Sequence, residues 1–287
     1  MHNVAIVIDS TTSITDEYKK KYNITTVPVN LIIEGRIYLD GIDLQPQEYY
    51  PMLKRAKKLP TTSAPPPASF LEAYSKASNE SRDVLCVCIS SKMSAVYNVA
   101  RQAAEMAAQS LPDIDVKVFD AHTAAGAAGF IALEAARAAA DGGSMKQVIK
   151  AAQRVKSKVQ MISMLDTLDY LAKGGRISRP AAWFGNLFNI KPILQTKTEE
   201  GTASHLDKVR SRKKGIDRLI SIMKERVGDS AVHVNVQHAD AYDQAAAMKE
   251  RIASEFNCAE LFLTDFTVTM GTHTGPGLLV LAFYMDD

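Results

Sequence analysis

Five consecutive apolar residues, Val4-Ala5-Ile6-Val7-Ile8, are followed by Asp9-Ser10-Thr11-Thr12-Ser13 and a polar, helix-like stretch through Lys21. A strand covered on both faces reads this way, and the Ser/Thr cluster supplies caps for a following helix. The grammar recurs: Val84 to Ile89 predicts a strand, Ser90-Ser91-Lys92-Met93-Ser94 a loop, and Ala95 to Gln109 a helix of good formers. It recurs again at Asp115 to Asp120, followed by an alanine-rich helix from Ala125 to Asp141 that Gly142-Gly143 closes. Strand, polar turn and helix in succession make an open, mostly parallel sheet, and such sheets bind ligands at the carboxyl ends of their strands.

Further along, Ser144 to Lys156 predicts a helix and Val159 to Met164 a short strand. Composition then changes. Asp166 to Lys173 reads as a short helix with Gly174-Gly175-Arg176-Ile177 as its turn, and a helix is expected over Lys208 to Arg226. Strands at Ala231–Gln237, Glu260–Phe266 and Leu278–Tyr284 surround a helix at Ala241–Glu255. At 287 residues the chain exceeds what one core usually supports. The expected fold class is therefore α/β with two domains: an N-terminal open sheet with flanking helices, residues 1–157, and a smaller C-terminal α+β domain, residues 158–287.

Composition narrows the function classes. Apolar residues at 46% and charged residues at 23% fit a folded globular chain. The 34 basic and 32 acidic side chains leave a net charge of +2, too small a global field to imply a nucleic-acid partner. The longest apolar stretch, Ala124 to Ala140, contains Glu134 and Arg137 and is too short for stable membrane insertion. With no signal-peptide pattern at the N-terminus, a cytoplasmic monomer is expected. Cys86, Cys88 and Cys258 are read as buried thiols, the first two facing opposite sides of a strand.

Candidate chemistry is sparse. No zinc, EF-hand, P-loop or Gly-x-Ser-x-Gly signature is present, so no catalytic residue, metal site or cofactor is assigned. His233 and His238 have no cysteine or carboxylate at ligand spacing and read as core or surface histidines. His273 stands in Gly271-Thr272-His273-Thr274-Gly275-Pro276-Gly277, either a glycine-rich turn that happens to hold histidine or a hydrogen-bond donor at a pocket mouth. Pro60-Thr61-Thr62-Ser63-Ala64-Pro65-Pro66-Pro67 is a rigid loop before a helix near Ala68, an ordinary connection or a means of fixing an anion. The basic run Lys208 to Lys214 faces a phosphate, an acidic partner or water, and water is the ordinary case.

Taken together, Val4 to Thr12, Pro60 to Pro65, Ser90 to Tyr97, Gly174 to Ile177, Lys191 to Leu194 and His273 to Gly277 resemble the DegV family of bacterial fatty-acid-binding proteins. The blocks stand in the family's order and span nearly the whole chain. The resemblance implies a two-domain DegV-like fold that buries one long-chain fatty acid in an apolar tunnel. It also implies a carrier rather than an enzyme, which hands the acid to a separate ATP-dependent fatty acid kinase for acyl-phosphate formation. A lipid-dependent sensor, or an enzyme with its own acyl chemistry, is the alternative.

The resemblance points to Thr61, Ser94 and His273 as carboxylate ligands, with Thr62 and Ser63 completing the loop. Arg176 and Arg210 fall where the family places arginines near the pocket entrance or the kinase-facing side. Three departures stand out: Ala64 replaces a usual glutamine, and Lys92 and Ala95 each replace a usual glycine. Lys92 either adds a positive charge near the carboxylate or points outward.

Overall fold

The computed structural model describes residues 3–177 and 190–286. In chain order the elements begin with β1 (Ala5–Asp9), α1 (Asp16–Lys21), β2 (Thr25–Val27), β3 (Asn30–Ile33), β4 (Arg36–Leu39), α2 (Pro46–Arg55), β5 (Thr61–Ser63) and α3 (Pro67–Ala77). They continue with β6 (Asp83–Cys88), α4 (Val96–Ser110), β7 (Asp115–Asp120), α5 (Ala125–Ala140), α6 (Met145–Lys156), β8 (Gln160–Met164) and α7 (Asp169–Lys173). Then come β9 (Lys191–Thr196), β10 (Ala203–Val209), α8 (Arg212–Val227), β11 (Val232–His238), α9 (Tyr242–Glu255), β12 (Cys258–Asp265), α10 (Val268–Thr274) and β13 (Leu279–Met285).

Two compact units result, and each draws on separated parts of the chain. The first holds residues 1–30, 62–158 and 198–202, and the second 31–61, 159–197 and 203–287. One division falls at 158/159, next to the expected boundary, but residues 31–61 group with the second unit and 198–202 with the first. A single cut in sequence does not describe this arrangement.

The first unit carries a parallel sheet in the order β2-β1-β6-β7. Every residue of β1 is buried, as its continuous apolar run requires. Helix α4 turns Val96, Ala100, Ala103 and Ala107 inward at helical spacing, and α5 buries alanine and glycine along most of its length. A larger residue at Ala132 would overpack this contact, at a cost of about 1–3 kcal/mol. The chain leaves β1 toward β2 on one side and returns to β6 on the other, so the crevice between the ends of β1 and β6 is the sheet's switch point. Buried Asp9 bridges it, accepting from Thr11 N at 2.9 Å and Ile89 N at 2.8 Å, and from the Thr11 hydroxyl.

On β6, the sulfurs of Cys86 and Cys88 lie 3.5 Å apart, which corrects their expected separation. Side chains two positions apart on a strand share a face. Both thiols are fully buried, and burial raises the Cys88 thiol above its ordinary range.

The second unit is built on a mixed sheet in the order β10-β9-β8-β13-β11-β12, antiparallel except for β11 and β12. With six strands it is wider than the four-stranded parallel sheet of the first unit. Its core includes Ile162, Ile193, Leu219, Met223, Val234 and Phe283. Each such side chain contributes about 1.5–3 kcal/mol by leaving water.

Three local expectations change. Lys208 and Val209 end β10, and the helix starts only at Arg212, where the Ser211 hydroxyl caps it by accepting from Lys214 N at 3.3 Å. Thr61 to Ser63 are not loop but β5, in a three-stranded sheet of order β4-β3-β5. Two adjacent β-branched threonines favour extended backbone, and the prolines stop the strand. His273 lies in the last turn of α10 rather than in a loop, and the helix ends at Gly275, whose φ of 76° suits a residue without a side chain.

Candidate ligand-binding site

The residues singled out in the sequence fall into both units: Thr62, Ser63, Lys92 and Ser94 in the first, Thr61, Arg176, Arg210 and His273 in the second. In the first unit, the loop after β6 folds on itself. Ser94 N donates to Ser90 O at 3.1 Å, and Lys92 N donates to Ser90 Oγ at 3.2 Å. The Ser90 hydroxyl in turn donates to Gly201 O at 2.6 Å. Ser94 Oγ accepts from Val96 N at 3.3 Å, at the start of α4. A hydroxyl used as an acceptor keeps its own proton, so half-buried Ser94 has an O–H to offer an anion.

Lys92 is exposed, with its stem against Gly201. Ser63, also exposed, accepts from Asn30 Nδ2 at 3.4 Å, and Thr62 is half-buried beside it on β5.

In the second unit, Thr61 is exposed at the start of β5. His273 is packed against the turn after α7. A side chain on Gly174 would begin 2.7 Å from His273 Nδ1, so the backbone approaches the imidazole as closely as glycine permits. Arg176 Nη1 donates to Gly174 O at 2.7 Å, and its charge acts on the imidazole. Burial, aided by that charge, lowers the His273 pKa to about 4. At neutral pH the ring is therefore uncharged, with one N–H to donate and one nitrogen to accept. Sequence reading left His273 open between turn residue and donor; the structure brings it together with Arg176.

Arg210 is exposed just ahead of the Ser211 cap. The basic run around it does not act as a block. Lys208, Arg210, Lys213 and Lys214 face solvent, whereas Arg212 turns into the fold. Its Nη1 pairs with Asp166 at 2.5 Å and donates to Gly277 O at 2.7 Å, and its Nε donates to Gln244 at 2.7 Å.

Sequence reading missed the groove to which Arg212 belongs. This cavity, of about 720 Å³, lies in the second unit and is lined by Lys54, Asp166, Arg212, His238, Asp240 and Asp265 among others. Ion pairs form part of the lining: Lys54 pairs with Asp240 and Arg212 with Asp166, while His238 Nε2 faces Asp265 at 3.5 Å. Tyr50, Tyr242, Leu263 and Pro276 share the lining with these charged groups, so the groove is mixed in character.

His238 and His233 both have carboxylate neighbours in space, because strand pairing supplies what spacing along the chain does not. Among the described residues no group of three or more His, Cys, Asp or Glu side chains is placed to hold a metal ion. Among the same residues no helix is long and apolar enough to cross a membrane.

The profile of the DegV family, described as uncharacterised protein, matches residues 3–286. A DegV domain-containing protein of Streptomyces coelicolor is 34% identical over 278 residues, 96% of each chain. One from Clostridium perfringens is 30% identical over 281 residues, 98% of each. Among solved structures, DegV of Bacillus subtilis, described as a fatty acid binding protein, superposes with a TM-score of 0.89 at 29% identity, covering 100% of both chains. A DegV family protein of Thermus thermophilus, described by its fatty acid binding, gives 0.89 at 27% identity with the same coverage.

Proposed function

Because the chain belongs to the DegV family, we propose that it binds one long-chain fatty acid in a buried tunnel and acts as its carrier. In this reading Thr61, Ser94 and His273 hold the carboxylate, with Thr62 and Ser63 in support. The cargo is presented to a partner ATP-dependent fatty acid kinase, which forms the acyl-phosphate.

The observation that carries the reading is the neutral imidazole of His273 lying beside Arg176. A carboxylate is the costly end of a fatty acid to bury and needs donors aimed at it. A neutral imidazole supplies an N–H without needing a counter-ion, the guanidinium adds positive charge nearby, and the Ser94 hydroxyl has a proton to give. The acyl chain contributes about 0.8 kcal/mol for each methylene buried, so a sealed tunnel binds tightly with no catalytic apparatus.

Arg210 suits the partner-facing role, being exposed at the mouth of α8 and outside the ion pairs that occupy Arg212. A guanidinium holds phosphate or carboxylate oxygens through two parallel hydrogen bonds.

The test is to denature the purified protein, identify released lipid by mass spectrometry, and titrate delipidated protein with the acid found. One equivalent of free fatty acid is expected. Protein that carries none and takes up none sinks the proposal.

A further inference from the structure

Hydrogen bonds tie residues 40–50 to α10 and the segment leading into it. Tyr50 Oη donates to Phe266 O at 2.6 Å. Thr269 Oγ1 donates to the carboxylate of buried Asp40. Tyr49 Oη and Thr272 Oγ1 are 2.5 Å apart, and the direction of that bond follows from its neighbour. Thr272 spends its only hydroxyl proton on Val268 O at 2.8 Å, so Tyr49 must be the donor. Burial raises the Tyr49 phenol to about 12, which keeps that proton in place at any physiological pH.

Packing enforces the same arrangement. A methyl group on Gly271 would overlap the Tyr50 hydroxyl and ring, so α2 lies against α10 at a distance only glycine allows. Both tyrosines are fully buried. On another side of the same short helix, His273 meets the α7 turn at Gly174. A seven-residue helix has too few internal hydrogen bonds to hold its own orientation. Its rotation is set by what grips it.

We infer that Tyr49 and Tyr50 are positioning residues for His273: α2 grips α10 through Thr272 and Gly271 and so fixes where the imidazole points. The inference rests on His273 holding the carboxylate. It places affinity under the control of α2, a helix that carries none of the residues assigned to the ligand.

The experiment uses full-length, delipidated Tyr49→Phe protein, with Thr272→Val as a second variant that breaks the same bond from its other side. Oleate affinity is measured by calorimetric titration, and the His273 ring is followed by NMR in histidine-labelled protein. Loss of one positioning bond is expected to weaken binding about 3- to 10-fold and to shift the His273 ring resonances. Adding Tyr49→Phe to His273→Ala is expected to cost nothing further, because the tyrosine acts through the imidazole. Unchanged affinity and unchanged His273 resonances in both single variants overturn the inference, as does an additive loss in the double variant. Should His273→Ala alone leave affinity intact, the carboxylate role of His273 fails. The ring resonances in Tyr49→Phe then decide the positioning claim by themselves.

Discussion

His233 stacks on Tyr284, the ring centroids 4.4 Å apart and the planes within 6° of parallel. Strand pairing sets them opposite one another on β11 and β13. The imidazole is held at both ends, by Glu260 at 2.9 Å through Nδ1 and by Asp286 at 3.2 Å through Nε2.

Burial alone would lower the His233 pKa, but the two carboxylates outweigh it and raise the value above 6.5. A raised histidine pKa gives stability that is fully present below the unfolded value and lost as pH rises through the folded one. The melting temperature of wild type should therefore exceed that of His233→Gln most clearly below pH 6.5, with the gap closing toward alkaline pH. The stabilisation is expected to stay within about 1 kcal/mol, since Asp286 is half exposed. A gap that widens above pH 7 would reverse the sign.

His273 should behave in the opposite way. With its pKa lowered to about 4 by burial and by Arg176, the ring stays neutral well below pH 6.5. The unfolded chain takes up a proton as pH falls through 6.5 while the native one does not, so this group costs stability between about 6.5 and 4. NMR titration should show no His273 protonation at pH 5.5. Arg176→Met should move the titration upward, because a repelling positive charge is removed. An ordinary histidine titration in wild type would contradict this.

Ser94→Ala, Thr61→Ala and His273→Ala should each weaken fatty-acid binding by about 1.5–3 kcal/mol, the usual worth of a hydrogen bond to a charged group. Ser94→Ala also removes the acceptor for Val96 N, for which about 1 kcal/mol of stability is expected. Titration of delipidated protein, with melting curves alongside, separates the two effects. Wild-type affinity in all three variants would remove these residues from the site.

Arg210→Ala should leave fatty-acid affinity unchanged and reduce acyl-phosphate production by the cognate kinase about tenfold or more, the cost of a lost charge-assisted contact. Arg176→Ala should lower both, because this side chain lies beside His273. Kinase-dependent rates equal to wild type in both variants would exclude a docking role.

What the sequence by itself determined is the local grammar and the family. The unbroken apolar run of β1, the inward stripe of α4 and the small-residue face of α5 are periodic signals confined to short windows, so β1, β6, β7 and the helices after β6 and β7 were legible. The blocks around Thr61, Ser94 and His273 named the candidate ligands. The tertiary structure alone decided the rest, because the partners are far apart in the chain. Residues 31–61 join the second unit through pairings that no local period encodes. His273 packs against Gly174, and burial with the Arg176 charge lowers its pKa, neighbours that lie far from it in sequence. The Tyr49 hydroxyl meets Thr272 across 223 positions of sequence. Periodicity specifies which face of an element is apolar; only packing specifies which face of another element it meets.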